Sequence, residues 1–132
     1  MQDTHTPTQP AAPARVRTII AYTRSGATTI EGQRWVQRQR TAIQAEADFQ
    51  GWTVAAWTCD LGQPGDTLDR PGLKQALALL ADHRADALVA YEEGRLARLR
   101  SHRCQLERVA QRQGWRLLTI QALRAPTPAA VP

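Results

Sequence analysis

"VRTIIAYTRSG", residues 16–26, begins as an apolar segment and ends in arginine, serine and glycine. Its β-branched and aromatic residues predict a buried strand over residues 16–22, and Ser25 and Gly26 predict the turn after it. Such a turn either does no more than close the strand, or holds a nucleophile against a cationic site. The residues that other segments bring to this turn decide between the two interpretations.

The segment after this turn is predicted to be a long helix. Thr28 and Glu31 have the spacing of a capping box, in which each side chain bonds the backbone of the other residue. Trp35, Ala42 and Phe49 recur at heptad spacing and are predicted to form the apolar side of the helix. A strand followed directly by a helix is the first unit of a parallel α/β pattern.

Strands and helices then alternate along the rest of the apolar part of the chain. Pro71 suits the first turn of a helix, and the other predicted elements are strands at 52–59, 86–91 and 115–121 and a helix at 92–113. This alternation predicts an α/β fold, with a mainly parallel sheet of four strands, or five, and helices on both faces. Ligands of such sheets lie beyond the carboxyl ends of the strands.

One domain is predicted, over residues 15–123. The two ends, residues 1–14 and 124–132, are rich in proline, threonine and alanine without periodicity, and both are predicted to be disordered tails. No apolar stretch reaches the roughly 18 residues that a membrane span needs, and no basic segment followed by an apolar one opens the chain. These features favour a cytoplasmic location with no membrane partner, where Cys59 and Cys104 are predicted to be buried free thiols.

The formal net charge of +5 suggests a polyanion such as nucleic acid as a partner. Lys74 is the only lysine, and a coding bias toward arginine would give the same excess without any ligand. The three histidines are scattered, which predicts no metal site. The chain also lacks the glycine motifs of nucleotide-binding loops, so no cofactor is predicted.

Four arginines follow the carboxyl ends of different predicted strands or precede a helix at that edge: Arg24, Arg70, Arg95 and Arg98. The planar guanidinium group matches phosphate oxygens bidentately and stays charged at working pH. The four together therefore predict a phosphodiester site. The alternative is that each arginine is solvated or paired with a nearby carboxylate, and these residues alone do not decide between the two.

Three segments, taken in order, resemble the signatures of the serine recombinase (resolvase/invertase) catalytic domain. They are "AYTRSG", "DLGQPGDTLDRPGL" and "YEEGRLAR", and the resemblance extends over residues 17–121. In that family a serine attacks the DNA phosphodiester and forms a phosphoserine link, while arginines stabilise the charged transition state. The resemblance implies catalytic and phosphate-binding roles for Arg24, Arg70, Arg95 and Arg98, with Tyr22, Gln39 and Asp60 in supporting places.

The chain departs from the family pattern at three polar positions. Gly26 stands at the nucleophile's place, Pro64 replaces a loop serine, and Gly94 replaces an aspartate. Ser25 is the only serine near the turn, but strand side chains alternate between faces. If Arg24 points into the site, Ser25 is predicted to point away, unless Gly26 lets the turn tighten by one residue.

The sequence therefore predicts a serine-recombinase-like domain, related to DNA recombination and integration by mobile elements, that is catalytically impaired. It is expected to bind DNA phosphates weakly and without sequence preference, because no recognition helix follows the last predicted strand. One alternative is an active recombinase in which Ser25 is a displaced nucleophile. Another is an interaction module, with a second copy of the chain or an intact recombinase as its partner.

Overall fold

Four parallel strands form the sheet, in the spatial order β2, β1, β3, β4. The computed structural model describes residues 15–124, so the predicted tails at 1–14 and 125–132 lie outside the described residues. The strands are β1 (Thr18–Ser25), β2 (Thr53–Leu61), β3 (Ala87–Ala90) and β4 (Arg116–Thr119). The helices are α1 (Ile30–Gln50), α2 (Pro71–Ala81), α3 (Glu93–Leu96), α4 (Arg100–Gln113) and α5 (Ile120–Arg124).

The sheet is covered on both faces, which confirms the predicted α/β architecture. Side chains of α2, α3 and α4 pack on one face with Ile20, Tyr22 and Leu88. Side chains of α1 and α5 pack on the other face with Ile19 and Ala21. Because successive strand residues point to opposite faces, β1 contributes alternately to the two cores. Burial of apolar area on both faces is the main force that stabilises this arrangement.

Helix α1 begins later than the predicted cap implies, and a different side of it is buried. Thr29 is the N-cap, and its hydroxyl accepts a hydrogen bond from Gly32 N, so the capping box predicted at Thr28 is wrong. Phe49 is 79% exposed, and the predicted heptad stripe does not form the core face. The buried side chains instead recur at spacings of three and four residues, which follows the helical period more closely. They are Val36, Gln39, Ile43, Glu46 and Ala47.

The single helix predicted after β3 is two helices separated by an extended break. Ala97 and Leu99 have extended backbone, and groups outside the helices bond the backbone of the break. The backbone N–H of Arg98 donates to the carbonyl of Gly65 at 2.8 Å, and Arg70 donates to the carbonyl of Leu96. Because the Arg98 N–H and the Leu96 carbonyl have partners outside the helices, the helix can end here without leaving either group unbonded.

The chain after β4 is helical where a longer strand is predicted. β4 ends at Thr119, and the described residues contain four strands and no fifth. Arg124, which the sequence assigns to the C-terminal tail, is the last residue of α5, and its Nε donates to Glu46 Oε1 of α1 at 2.7 Å. Residue 124 therefore belongs to a helix that is bonded to α1.

Two further observations concern the surface. Cys59 and Cys104 are free but exposed, so the prediction that they are buried is wrong. Cys59 lies on β2, an edge strand, and Cys104 lies on α4. None of the helices within residues 15–124 has the length and apolar character to cross a membrane.

Candidate phosphate site

The carboxyl end of β1 sends consecutive side chains to opposite faces of the sheet. Arg24 follows Tyr22 on the face of α2 and α3, and donates to backbone carbonyls of the segment after β3. Ser25 lies on the α1 face: a Cβ placed on Gly32 of α1 would meet Ser25 Oγ at 2.7 Å. The alternation predicted from the sequence is therefore present, and the turn does not tighten to bring Ser25 back.

Every nitrogen of the Arg24 guanidinium donates a hydrogen bond to a backbone carbonyl. Nε donates to Arg95 O at 3.0 Å, Nη1 to Gln63 O at 2.8 Å, and Nη2 to Gly94 O at 3.0 Å. A guanidinium carries five N–H groups, so one N–H on each terminal nitrogen remains for a further acceptor. Burial, followed by the charges of Arg95 and Arg70, lowers the pKa of Arg24 from its usual value. An added anion at this place would relieve that repulsion.

The backbone of Arg24 is fixed by the buried amide of Gln39 on α1. β3 ends at Ala90, opposite Tyr22, so β1 extends beyond its neighbour at Arg24. There the Gln39 side chain accepts from Arg24 N at 3.1 Å and donates to Arg24 O at 2.8 Å. The amide thus replaces the missing strand partner, which is why a polar side chain is fully buried here.

Arg70 is fully buried rather than solvent-facing. Nη1 donates to Arg95 O at 3.2 Å, and Nη2 donates to Leu96 O. The guanidinium carbon lies 5.5 Å from the centre of the Tyr22 ring, within the range of a cation–π contact. Burial lowers the pKa of Arg70. Arg70 is therefore placed to hold the C-terminal end of α3 and to contribute positive charge, with no exposed surface of its own.

Asp60, at the end of β2, joins β1 to the start of α2. Its carboxylate accepts from Tyr22 Oη at 2.8 Å, Gly72 N at 2.7 Å and Leu73 N at 2.9 Å. The two backbone N–H groups belong to the first turn of α2, where a carboxylate is favourable. Burial, reinforced by the Asp60 charge, raises the pKa of Tyr22 well above its usual value. The phenol therefore stays neutral and acts as a hydrogen-bond donor.

Arg95 and Arg98 approach the same place from α3 and from the break after it. Arg95 Nη1 donates to Arg24 O at 3.3 Å, and its guanidinium carbon lies 5.9 Å from the Trp35 ring centre. A Cβ placed on Gly65 would meet both Arg24 Nη2 and Arg98 Cγ at 2.7 Å. The absent side chain at Gly65 thus lets the Arg98 stem and the Arg24 guanidinium lie close together.

Four arginines lie together and are called here the arginine cluster: Arg24, Arg70, Arg95 and Arg98. The first three are linked through shared backbone acceptors, since Arg24 and Arg70 both donate to Arg95 O and Arg95 donates to Arg24 O. The stem of Arg98 lies beside Gly65, next to Arg24 Nη2. Two carboxylates lie among them, those of Asp60 and Glu92. Positive charge is therefore in excess, which suits an anionic ligand.

At the end of β1 the Ser25 hydroxyl is already hydrogen-bonded, and the next residue, Gly26, carries no side chain. Ser25 is buried; its hydroxyl donates to Ala27 O at 3.0 Å and accepts from Ala27 N at 3.2 Å. Gly26 is exposed, and a Cβ placed on it would lie 3.9 Å from Arg24 Nη1. The position beside the arginine cluster is therefore the one without a side chain.

Several members of the site could not be identified from residue types. The carbonyls of Gln63, Gly94 and Arg95 bind guanidinium groups, but every residue carries a carbonyl, so the sequence holds no signal for them. The free space beside Gly94 also could not be predicted from the sequence: a Cβ placed there meets nothing within 4 Å. Trp35, predicted on the apolar side of α1, lies against Arg95 and Tyr91.

Comparison with known proteins agrees with the fold. Residues 19–130 match the family model described as "Resolvase, N terminal domain". A search of curated proteins found no match.

Solved structures of similar fold include an integrase catalytic domain, a site-specific recombinase and a serine recombinase catalytic domain. The N-terminal catalytic domain of TP901-1 integrase has a TM-score of 0.74 and 21% identity, over 80% of this chain and 79% of that one. A resolvase family site-specific recombinase from Streptococcus pneumoniae has a TM-score of 0.69 and 17% identity, over 80% and 73% of the two chains. The C-terminal catalytic domain of IS1535 TnpA, an IS607-like serine recombinase, has a TM-score of 0.61 and 25% identity, over 77% and 70%.

Proposed function

The chain belongs to the family of resolvase N-terminal domains, and from this premise we propose that it binds DNA phosphates through the arginine cluster without cleaving the strand. Arg24, Arg95 and Arg98 are the groups that contact phosphate in this proposal. Arg70 is a positioning residue: it is buried, bonds carbonyls of α3 and adds positive charge to the site. Tyr22, Gln39 and Asp60 hold these side chains in place.

The observation that carries the proposal is the convergence of arginine side chains from three segments beside Arg95 and Gly65. Arg24 comes from β1, Arg70 from the start of α2, and Arg95 and Arg98 from the chain after β3. Like charges do not assemble in a partly buried place without opposing charge or a ligand, since mutual repulsion and desolvation both oppose it. A phosphodiester supplies the missing negative charge and accepts the N–H groups that remain.

The absence of strand cleavage follows from the position of the only serine near the turn. Ser25 Oγ is bonded to Ala27 on the α1 face, while the guanidinium groups of Arg24 and Arg70 lie on the opposite face. Guanidinium groups that bind substrate and transition state equally well do not raise the rate. Nucleophilic catalysis also needs a positioned attacking atom, and Gly26 supplies none.

Binding is expected to be independent of DNA sequence. Base edges are read by side chains that enter the grooves, whereas phosphate contacts position a protein and carry no sequence information. The exposed polar groups of the arginine cluster are guanidinium groups at a sheet edge, which suits the backbone of DNA. Affinity should therefore depend strongly on salt, because each neutralised phosphate releases counterions.

Arg98→Gln tests this assignment, because Arg98 is exposed and its loss should not disturb the fold. We expect the slope of log K against log salt to become shallower by about one for a duplex of random sequence. The measurement is fluorescence anisotropy at several salt concentrations. Arg112→Gln is the matched control: Arg112 is exposed in the last turn of α4, and the same loss of charge there should leave the slope within about 0.3 of the parent's.

Two outcomes would contradict the phosphate assignment. One is a slope near zero for the parent chain, which would mean that no phosphates are neutralised. The other is an equal effect of Arg98→Gln and Arg112→Gln, which would mean that total charge and not the arginine cluster determines binding.

A second copy of the chain, or an intact recombinase, is the alternative partner. The observation in its favour is the exposure of Phe49 and Ile30 on α1, at opposite ends of that helix. Single exposed apolar side chains are common on monomeric proteins, so this alternative has less support than DNA. Light scattering of the chain, alone and mixed with an intact recombinase, distinguishes it.

A further inference from the structure

In the arginine cluster, the Nε atom of Arg95 lies near the carboxylate of Glu92 but makes no hydrogen bond. Its Nε lies 3.7 Å from Glu92 Oε2, a separation typical of an ion pair and too long for a hydrogen bond. Within residues 15–124 this buried Nε has no hydrogen-bond partner. A buried N–H without an acceptor is unfavourable by about 1–3 kcal/mol in general. The atom is therefore available to an acceptor that approaches more closely.

Solvent reaches the side chains of Arg95 and Glu92, unlike those of Arg24 and Arg70. The side chains of Arg95 and Glu92 are 23% and 31% exposed, whereas Arg70 is fully buried. Arg24 is only 4% exposed, and one N–H on each of its two terminal nitrogens is all that it has left for a ligand. An incoming phosphate oxygen thus meets Arg95 as the accessible inner guanidinium, and it meets the Glu92 carboxylate beside it.

We propose that Glu92 is an internal competitor for the phosphate, occupying Arg95 in the free protein and moving away when a phosphate binds. This inference rests on the proposed function, because it concerns which anion the arginine cluster holds. The Glu92 carboxylate and a phosphodiester carry the same sign of charge, and both are attracted to Arg95 Nε. Each must exclude the other from that atom, so Glu92 lowers the affinity for DNA and limits binding to polyanions that contact several members of the cluster.

Glu93 provides a comparison within the same turn. Its carboxylate lies 3.4 Å from Arg103 Nε on α4, and its side chain is 67% exposed. It is adjacent in sequence and carries the same charge, but it pairs with an arginine outside the cluster. Removal of the Glu93 charge therefore changes the overall field without releasing Arg95.

The test compares Glu92→Gln with Glu93→Gln in binding to a short fluorescein-labelled duplex of random sequence. Both substitutions keep the side-chain shape and remove one negative charge. We expect Glu92→Gln to tighten binding by about twofold to fivefold, the range of a half-exposed ion pair. Glu93→Gln should change the affinity by less than about 1.5-fold, since salt screens an exposed charge that does not touch the ligand.

A double-mutant cycle with Arg95→Gln assigns the effect to this pair. In the Arg95→Gln background the carboxylate has no guanidinium to occupy, so Glu92→Gln should change the affinity by less than about 1.5-fold. A gain of the same size in both backgrounds would mean that Glu92 acts through general repulsion of DNA, and would overturn the proposal. Thermal unfolding of each variant checks that the fold is retained.

The outcomes separate this inference from the proposed function. If the parent binds with a steep salt slope but Glu92→Gln and Glu93→Gln behave alike, the competitor role is wrong and the phosphate site stands. If neither the parent nor Glu92→Gln binds the duplex at low salt, both are wrong. If only Glu92→Gln binds, the competitor role is supported in its strongest form.

Discussion

Gly26→Ser is expected to convert a chain that forms no covalent complex with DNA into one that does. A Cβ at residue 26 lies 3.9 Å from Arg24 Nη1, so a serine hydroxyl there reaches hydrogen-bond distance of the guanidinium. The backbone of Gly26 is not among those with positive φ, so a side chain is tolerated. Loss of a positioned nucleophile typically lowers the rate by several orders of magnitude, so its return should raise the rate of adduct formation by a similar factor.

The expected chemistry is a transfer of the phosphoryl group to the new hydroxyl. In the Gly26→Ser variant the introduced hydroxyl oxygen attacks phosphorus and forms a P–O bond to the protein. The P–O bond to the departing strand breaks, and the departing oxygen takes up the proton that the hydroxyl releases. Arg24 and Arg95 stabilise the added negative charge of the transition state.

The measurement is trapping on a nicked suicide duplex, followed by separation on a denaturing gel. Gly26→Ala is the matched control, since it adds the same Cβ without the hydroxyl. The parent, Gly26→Ala and Ser25→Ala should all give no adduct. An adduct in the parent that Ser25→Ala abolishes would identify Ser25 as the nucleophile. No excess of adduct in Gly26→Ser over Gly26→Ala would mean that the arginine cluster does not support transfer.

Asp60→Ala should have the largest effect on stability. The substitution removes the acceptor of three buried donors, from Tyr22, Gly72 and Leu73. It also removes the carboxylate whose charge opposes the effect of burial on Arg70. Buried donors left without an acceptor cost about 1–3 kcal/mol each, so the free energy of unfolding should fall by about 3–5 kcal/mol, a large share of the roughly 5–15 kcal/mol of a typical domain.

Urea unfolding measures this loss, with Asp82→Ala as the control. Asp82 is exposed and pairs with Arg84 at 3.4 Å on the surface, so its removal should change the free energy of unfolding by about 0.5 kcal/mol or less. Should Asp60→Ala fail to fold, Asp60→Asn keeps the shape and part of the acceptor capacity and should lie between the two. Equal stability of Asp60→Ala and Asp82→Ala would contradict the role given to Asp60.

The order of strands and helices could be predicted because each strand is short and apolar and each helix follows a recognisable turn. That order places the carboxyl ends of parallel strands at one edge, which is why Arg24 and Arg95 could be expected to meet from the sequence alone. The opposite directions of Arg24 and Ser25 follow from strand alternation in the same way. Periodicity and topology were sufficient for these features.

Other features depend on long-range contacts that residue types do not encode. Arg70 could be expected at the phosphate but is fully buried, because the carbonyls of Arg95 and Leu96 accept its N–H groups. The helix after β3 breaks for the same reason, since its backbone groups bond Arg70 and Gly65. Phe49 fits a heptad but lies on the side of α1 that the sheet does not cover.

The central claim is that guanidinium groups from separate segments bind one phosphate region. The side-chain Nε–Hε resonances of the arginines, followed by ¹⁵N–¹H spectra during titration with a short duplex, test it most directly. The signals of Arg24, Arg95 and Arg98 should shift together, with a single binding constant, while the signal of Arg112 does not move. Shifts of these three at different DNA concentrations, or an equal shift of Arg112, would contradict a common site.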